Sequence, residues 1–125
     1  MKYLIMLIIS SSVFASDPCG SYQIKFRHNK KMKLKTLEGC YYKKNHQFLS
    51  RSCFKNRNCK ANKKHPLKKL SGSVGNPLFH HCYNSGGTPQ IANIKIKKEW
   101  KKMSFCYFDD DSVIDLDQLF YNSQN

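Results

Sequence analysis

Asn76-Pro77-x4-Cys82-x3-Gly86-Gly87-x18-Cys106-x-Phe108-x-Asp110-x-Ser112 is the stretch that decides how this chain is read, because helix punctuation, two cysteines and an acidic turn fall in one short unit. Asn76 is a good N-cap, and Pro77 suits the first helical position, where its missing N–H is not needed. Gly86-Gly87 ends that helix, since glycine accepts the left-handed C-terminal conformation. The spacing predicts a helix over 77–85 with Leu78, His81, Cys82 and Ser85 on one face. Alternation then predicts strands over 88–97 and 103–108, joined by a turn within 98–102. Asp109-Asp110-Asp111 reads as a tight polar turn. Ser112 with Asp115 three residues on reads as a capping box that opens a final helix through Val113, Leu116, Leu119 and Phe120. The expected order is helix, strand, strand, helix, and the expected class is α+β.

Upstream, charge is divided very unevenly. Residues 16–70 hold thirteen lysines and three arginines against Asp17 and Glu38, a net of +14; residues 71–125 hold five lysines against six carboxylates, a net of −1. Leu70-Ser71-Gly72-Ser73-Val74-Gly75 separates the two and has the composition of a flexible connection. The expected organisation is a basic, cysteine-containing β-hairpin region over 16–70, a linker over 71–75 and the helix-strand-strand-helix unit over 76–125. Within the basic region Tyr22, Ile24 and Phe26 alternate with Gln23, Lys25 and Arg27, and Met32 and Leu34 alternate with Lys33 and Lys35. His28-Asn29-Lys30-Lys31 is the intervening turn, with Asn29 suited to a positive φ. A second hairpin is expected from Cys40-Tyr41-Tyr42 through 43–46 to Gln47-Phe48-Leu49. Residues 55–70, rich in Lys, Asn, Arg and His and interrupted by Pro66, read as a solvated loop.

The first fifteen residues read as a cleaved secretory signal: Lys2, then an apolar run from Leu4 to Ile9, then Val13-Phe14-Ala15 ending in a small residue. The run is shorter than the roughly 20 apolar residues a membrane span needs, and Ser10, Ser11 and Ser12 interrupt it. No second apolar run of that length follows, so no transmembrane span is expected in the mature chain. Ser16-Asp17-Pro18 before Cys19 is not the small and aliphatic set of a lipid-anchored protein. A secreted or periplasmic location follows. The six cysteines, Cys19, Cys40, Cys53, Cys59, Cys82 and Cys106, then read as structural disulfides, because an oxidising compartment permits them and so short a chain buries little core. No Cys-x-x-Cys spacing occurs to suggest a redox or metal site.

Asn-Pro, a cysteine, Gly-Gly, then Cys-x-Phe-x-Asp-x-Ser before an acidic, leucine-bearing helix resembles a short domain of unknown function found in small exported bacterial proteins labelled haemolysins, over residues 75–121. The chain departs from that pattern in having Asp110-Asp111 where the family has Asp-Gly, and Ile114 where a further cysteine is common. The resemblance implies export, bacterial origin and the fold of this unit, and it leaves Cys82 and Cys106 as the natural pair. Three pairings of the other four cysteines remain, and Cys40 with Cys53 and Cys19 with Cys59 is the favoured one.

No arrangement of residues calls for catalysis. His80 and His81 are adjacent on a helix and point about 100° apart, so one packed and one exposed histidine is expected rather than a chelating pair. The carboxylates from Asp109 to Asp117 lack the glycine and terminal glutamate of an EF-hand and read as turn and helix-start residues. Asp115 and Asp117, two apart, do not face each other as an acid–base pair. Cysteine–histidine catalysis needs a free thiol, and the even count leaves none. No catalytic residue, metal site or cofactor is expected. A small secreted hydrolase such as a ribonuclease is the least favoured reading: no motif fixes it, and the histidines at 28, 46, 65, 80 and 81 are unremarkable in number.

The functional expectation rests on the basic half. Lys30-Lys31, Lys43-Lys44, Lys63-Lys64 and Lys68-Lys69 punctuate it, with Phe26, Tyr41, Tyr42, Phe48 and Phe54 interleaved. Strand alternation is expected to gather Lys25, Arg27, Lys33 and Lys35 on one sheet face, beside Lys30, Lys31, Lys43 and Lys44, as a field for polyanions. In the envelope these are anionic lipid, lipopolysaccharide or another acidic polymer; nucleic acid is not expected, since no recognition motif appears. The expected protein is non-enzymatic and binds anionic envelope material. A protein-binding module such as a peptidase inhibitor is the alternative.

Overall fold

Period-2 alternation in the basic half forms the hairpins it predicts, and long-range pairing then closes them into a barrel that local pattern does not announce. The computed structural model describes residues 18–67 and 76–124, so the expected leader over 1–15 and the linker over 71–75 lie outside the described residues. In chain order the elements are β1 (Cys19–His28), β2 (Lys31–Tyr42), β3 (Gln47–Ser50), a single helical turn α1 (Ser52–Lys55), a 3-10 turn (Lys60–Asn62), α2 (Pro77–Asn84), β4 (Thr88–Ile96), β5 (Glu99–Tyr107), β6 (Val113–Asp115) and α3 (Leu116–Gln124). The strands close in the order β1-β2-β3-β6-β5-β4, all antiparallel.

The barrel corrects the α+β expectation. Two three-stranded meanders, β1-β2-β3 and β4-β5-β6, join along both edges: Ile24 pairs with Ile94 between β1 and β4, and Leu49 pairs with Ile114 between β3 and β6. Strands from both sides of the 71–75 segment therefore share one barrel. The β1–β2 turn is tight because Asn29 and Lys30 both take positive φ, 50° and 65°, matching the right-handed twist of the flanking strands. The β4–β5 turn is Lys97-Lys98, with Lys97 at φ 58°, so β5 starts at Glu99 instead of after a longer turn over 98–102.

The helix α2 forms as its punctuation requires. Asn76 accepts from the Leu78 N–H at 3.0 Å, Pro77 opens the first turn, and Gly86 takes φ +91° beyond the last. The second cap is different from the one expected. Residues 113–115 are strand β6, and the Ser112–Asp115 capping box does not form; Asp115 itself caps α3, its Oδ2 accepting from the Gln118 N–H at 3.0 Å. Ser112 is engaged elsewhere: its hydroxyl donates to Asp110 and accepts from the Ala61 N–H at 3.0 Å. Asp111, in place of the expected glycine, takes φ 66° and completes the turn.

The disulfides join Cys19 to Cys40, Cys53 to Cys59 and Cys82 to Cys106. The favoured pairing of the first four is thus overturned. The β1–β2 register sets Cys19 directly opposite Cys40, and α1 turns Cys53 back towards Cys59, six residues on. Each bridge contributes roughly 2–4 kcal/mol by restricting the unfolded chain.

Two cores result. Inside the barrel Ile24, Tyr41, Phe48, Ile94, Met103, Phe105 and Val113 pack together, with Phe48 and Phe105 edge to face at 5.5 Å. Outside it, the opposite parity of β5 and β6 presents Cys106 and Ile114 to the helices, where Cys82, Leu116, Leu119 and Phe108 join them. His81 is buried at this α2–α3 contact with its Nε2 2.7 Å from the Ser123 hydroxyl, and Ser123 in turn donates to the Leu119 carbonyl. Burial, and after it the charge of His65, holds His81 below its usual value. The acidic turn anchors residues 59–62, which the sequence leaves as solvated loop: Lys60 pairs with Asp109, its N–H donates to Asp110 at 2.8 Å, and Cys59 and Ala61 are buried. Burial pushes the Asp110 carboxyl up, but hydrogen bonds from Ser112 and the Lys60 N–H outweigh it and hold the group low.

Candidate functional site

The β2–β3 turn and the β4–β5 turn meet at one end of the barrel. β1 begins there and β2 ends there, so Tyr22, Tyr41 and Ile96, all of inward parity, form the mouth. Tyr22 packs against Tyr41 at 6.1 Å and donates its hydroxyl to the Pro18 carbonyl. His46 fixes the turn: its Nε2 lies 2.8 Å from the Lys102 carbonyl and its Nδ1 2.7 Å from the Tyr41 hydroxyl. A carbonyl only accepts, so Nε2 carries the proton and Nδ1 accepts from Tyr41. Burial, and then Tyr22, pushes the Tyr41 phenol up, keeping it a donor at neutral pH.

Around this mouth runs a groove of about 460 Å³ lined by Tyr22, Tyr41, Tyr42, Lys43, Lys44, Ile96 and Lys97. It continues into a hollow of about 510 Å³ that shares Lys43, Ile96 and Lys97 and adds Lys98, Glu99 and Lys101. Five lysines from two turns and β5 thus ring an aromatic floor, with Glu99 the one carboxylate among the described lining residues. Such a surface suits an anionic ligand that also offers an apolar or sugar face, since the ammonium groups supply charge and the tyrosines supply flat contact.

Six of the eight sequence-predicted cations divide among three places. Lys43 and Lys44 lie in the groove; Lys25 and Arg27 stand on the outer barrel face; Lys30 and Lys31 sit at the β1–β2 turn. Lys33 and Lys35 do not share the face of Lys25 and Arg27. In the register Lys25 opposes Leu34 and Arg27 opposes Met32, whereas Lys35 opposes the buried Ile24, and opposed residues share a face. Lys35 therefore leans inwards, its Nζ 3.7 Å from the Tyr107 ring centre and 4.8 Å from that of Phe26, and burial lowers it to about 8. The groove residues missed in the sequence are Tyr22, Ile96, Lys97, Lys98 and Lys101. Lys97-Lys98 repeats the Lys43-Lys44 pattern, a lysine pair in a turn between alternating strands, and that repetition was the available signal.

Asp115 lines a smaller hollow of about 210 Å³ between α2, α3 and β5 together with His46 and Lys102. Its carboxylate is buried and both oxygens are engaged: Oδ1 accepts from the Phe48 N–H at 2.8 Å and Oδ2 caps α3. This ties β3 to β6 where the ladder has one registered pair, so the group holds the barrel closed. Among the described residues no group of three or more His, Cys, Asp or Glu is placed to hold a metal ion. No protein-family model, curated protein or solved structure matches this chain.

Proposed function

We propose that the protein is an exported, disulfide-held, non-enzymatic binding protein whose cationic groove engages anionic envelope material. The observation that carries this reading is the groove itself, where Lys43, Lys44, Lys97, Lys98 and Lys101 surround Tyr22, Tyr41 and Tyr42. Export is supported by the apolar leader in the sequence and by three disulfides, which persist in an oxidising compartment. No helix among the described residues is long and apolar enough to cross a membrane. The haemolysin resemblance contributes export alone to this reading, and no lytic mechanism is built on it.

Retention of the oxidised protein on immobilised lipopolysaccharide, compared with a neutral polysaccharide across a salt series, tests the proposal. Binding is expected on the anionic matrix, falling steeply between low and physiological ionic strength as the screening length shortens around the exposed lysines. Equal and salt-insensitive retention on both would overturn it. A protein-binding reading finds its support in the loop closed by Cys53–Cys59, which presents the exposed Phe54. A partner held through that loop stays bound at high salt, which separates the two.

A further inference from the structure

In the β1–β2 ribbon, β1 alternates as a barrel strand should, and the first part of β2 is inside out. Apolar residues of a barrel strand ordinarily face the interior, yet in β2 Lys33 and Lys35 take the inner positions while Met32 and Leu34 stand outside, 52% and 65% exposed. β4 extends the same outer face: Lys25 pairs with Asn93, and two residues along lies Ile91, 58% exposed. Single exposed apolar side chains are ordinary; three on one face, beside a strand whose inward parity carries Lys33 and Lys35, with Lys35 half-buried, are not. Cations surround them. Arg27 opposes Met32, Lys25 opposes Leu34 and lies 4.5 Å from the Trp100 ring centre, and Lys30 lies in the turn at the ribbon tip, next to Lys31 at the start of β2.

We propose that this ribbon face seats on an anionic lipid bilayer, with Met32, Leu34 and Ile91 entering the headgroup–acyl boundary while Lys25, Arg27 and Lys30 meet lipid phosphates. Charge complementarity selects this occupant: a second copy of the chain would set cation against cation, and a neutral protein partner would leave the rim of charges unmatched. The ribbon tip lies at the opposite end of β1 and β2 from the groove, so this surface does not depend on the groove reading.

The test is co-sedimentation of the oxidised protein with vesicles of phosphatidylcholine alone and of phosphatidylcholine with phosphatidylglycerol, alongside retention on lipid-free dextran sulfate. The wild type is expected to bind the anionic vesicles and not the neutral ones. Met32→Ser/Leu34→Ser, both at exposed positions, is expected to lose about tenfold or more in vesicle partitioning while keeping its retention on dextran sulfate and its melting temperature. Unchanged vesicle binding by this variant overturns the proposal, as does equal binding of the wild type to neutral vesicles. Self-association that the double change abolishes, without an effect on vesicles, assigns the face to a second copy and also overturns it. Leu34→Trp supplies an independent reading: its emission shifts to the blue on anionic vesicles if residue 34 enters the bilayer, and stays in place if it does not.

Discussion

Gly87→Ala lowers the free energy of unfolding by about 3 kcal/mol or more. A Cβ at this position would lie 2.3 Å from Cys106 Sγ, 3.1 Å from the Tyr107 carbonyl oxygen and 3.2 Å from Cys82 Sγ. None of these neighbours is the free end of a flexible chain. Two are the bonded sulfurs that tie α2 to β5, and the third belongs to the strand that β4 pairs with, so relief requires moving the helix, the bridge or the sheet. Loss of the bridge in the process would add roughly 2–4 kcal/mol. Gly20→Ala is the control: nothing lies within 4 Å of its added Cβ, and the change is expected to stay within about 0.5 kcal/mol. Urea unfolding of the oxidised proteins, with a free-thiol count, measures both. A Gly87→Ala protein as stable as wild type with the Cys82–Cys106 bond formed would contradict the packing described.

Asp115 carries the second large effect. Asp115→Ala removes the acceptor for the buried Phe48 N–H and the cap of α3 together, and is expected to destabilise the protein by about 3 kcal/mol at neutral pH. The pH dependence has a definite sign. Burial, which outweighs the hydrogen bonds from the Phe48 and Gln118 N–H groups, raises this carboxyl from 3.8 to about 6. Between those values the folded protein holds a proton that the unfolded chain has released. The part of stability linked to this proton is therefore fully present below about 4 and is lost as pH rises past about 6, while the two N–H bonds remain at neutral pH. Asp115→Asn cannot titrate, so the stability difference between wild type and Asp115→Asn is expected to grow as pH falls from 7 to 4.5. Comparing the two proteins cancels the opposing contributions of Asp110 and His81, which weaken on acidification. A difference that shrinks over the same range would mean that the two N–H bonds outweigh burial.

Local chemistry was legible where a residue acts on its own neighbours. Asn76, Pro77 and Gly86 specify α2 whatever surrounds it, and Asn29 marks its turn. Closure of the barrel was not legible, because Ile24 with Ile94 and Leu49 with Ile114 are pairings across 70 and 65 positions that no window of alternation reports. Asp115 misled for a related reason: a carboxylate three residues after a serine has the spacing of a capping box, and only the seam between β3 and β6 shows that it is needed one turn later. Lys35 was misplaced because alternation was read as apolar in and charged out. Phase is fixed by pairing instead, and pairing with Ile24 turns Lys35 in and Leu34 out. The groove was half legible. Lys43-Lys44 and Tyr41-Tyr42 stood out in a basic region, whereas Lys97-Lys98 lay in a stretch close to neutral overall, and its relevance came from the fold bringing two turns to one mouth.

Position in the groove, rather than net charge, is expected to govern polyanion binding. Its most direct test compares two variants with the same charge change: Lys43→Glu/Lys44→Glu/Lys97→Glu/Lys98→Glu in the groove, and Lys55→Glu/Arg57→Glu/Lys63→Glu/Lys64→Glu on the exposed stretch elsewhere. At close to 1 kcal/mol for each lysine at an anionic surface, the groove variant is expected to lose about 100-fold or more in affinity for lipopolysaccharide. The control is expected to lose less than about tenfold, since its charges act only through a screened field. Equal losses in the two variants would contradict this and reduce the groove to one part of a uniformly basic surface.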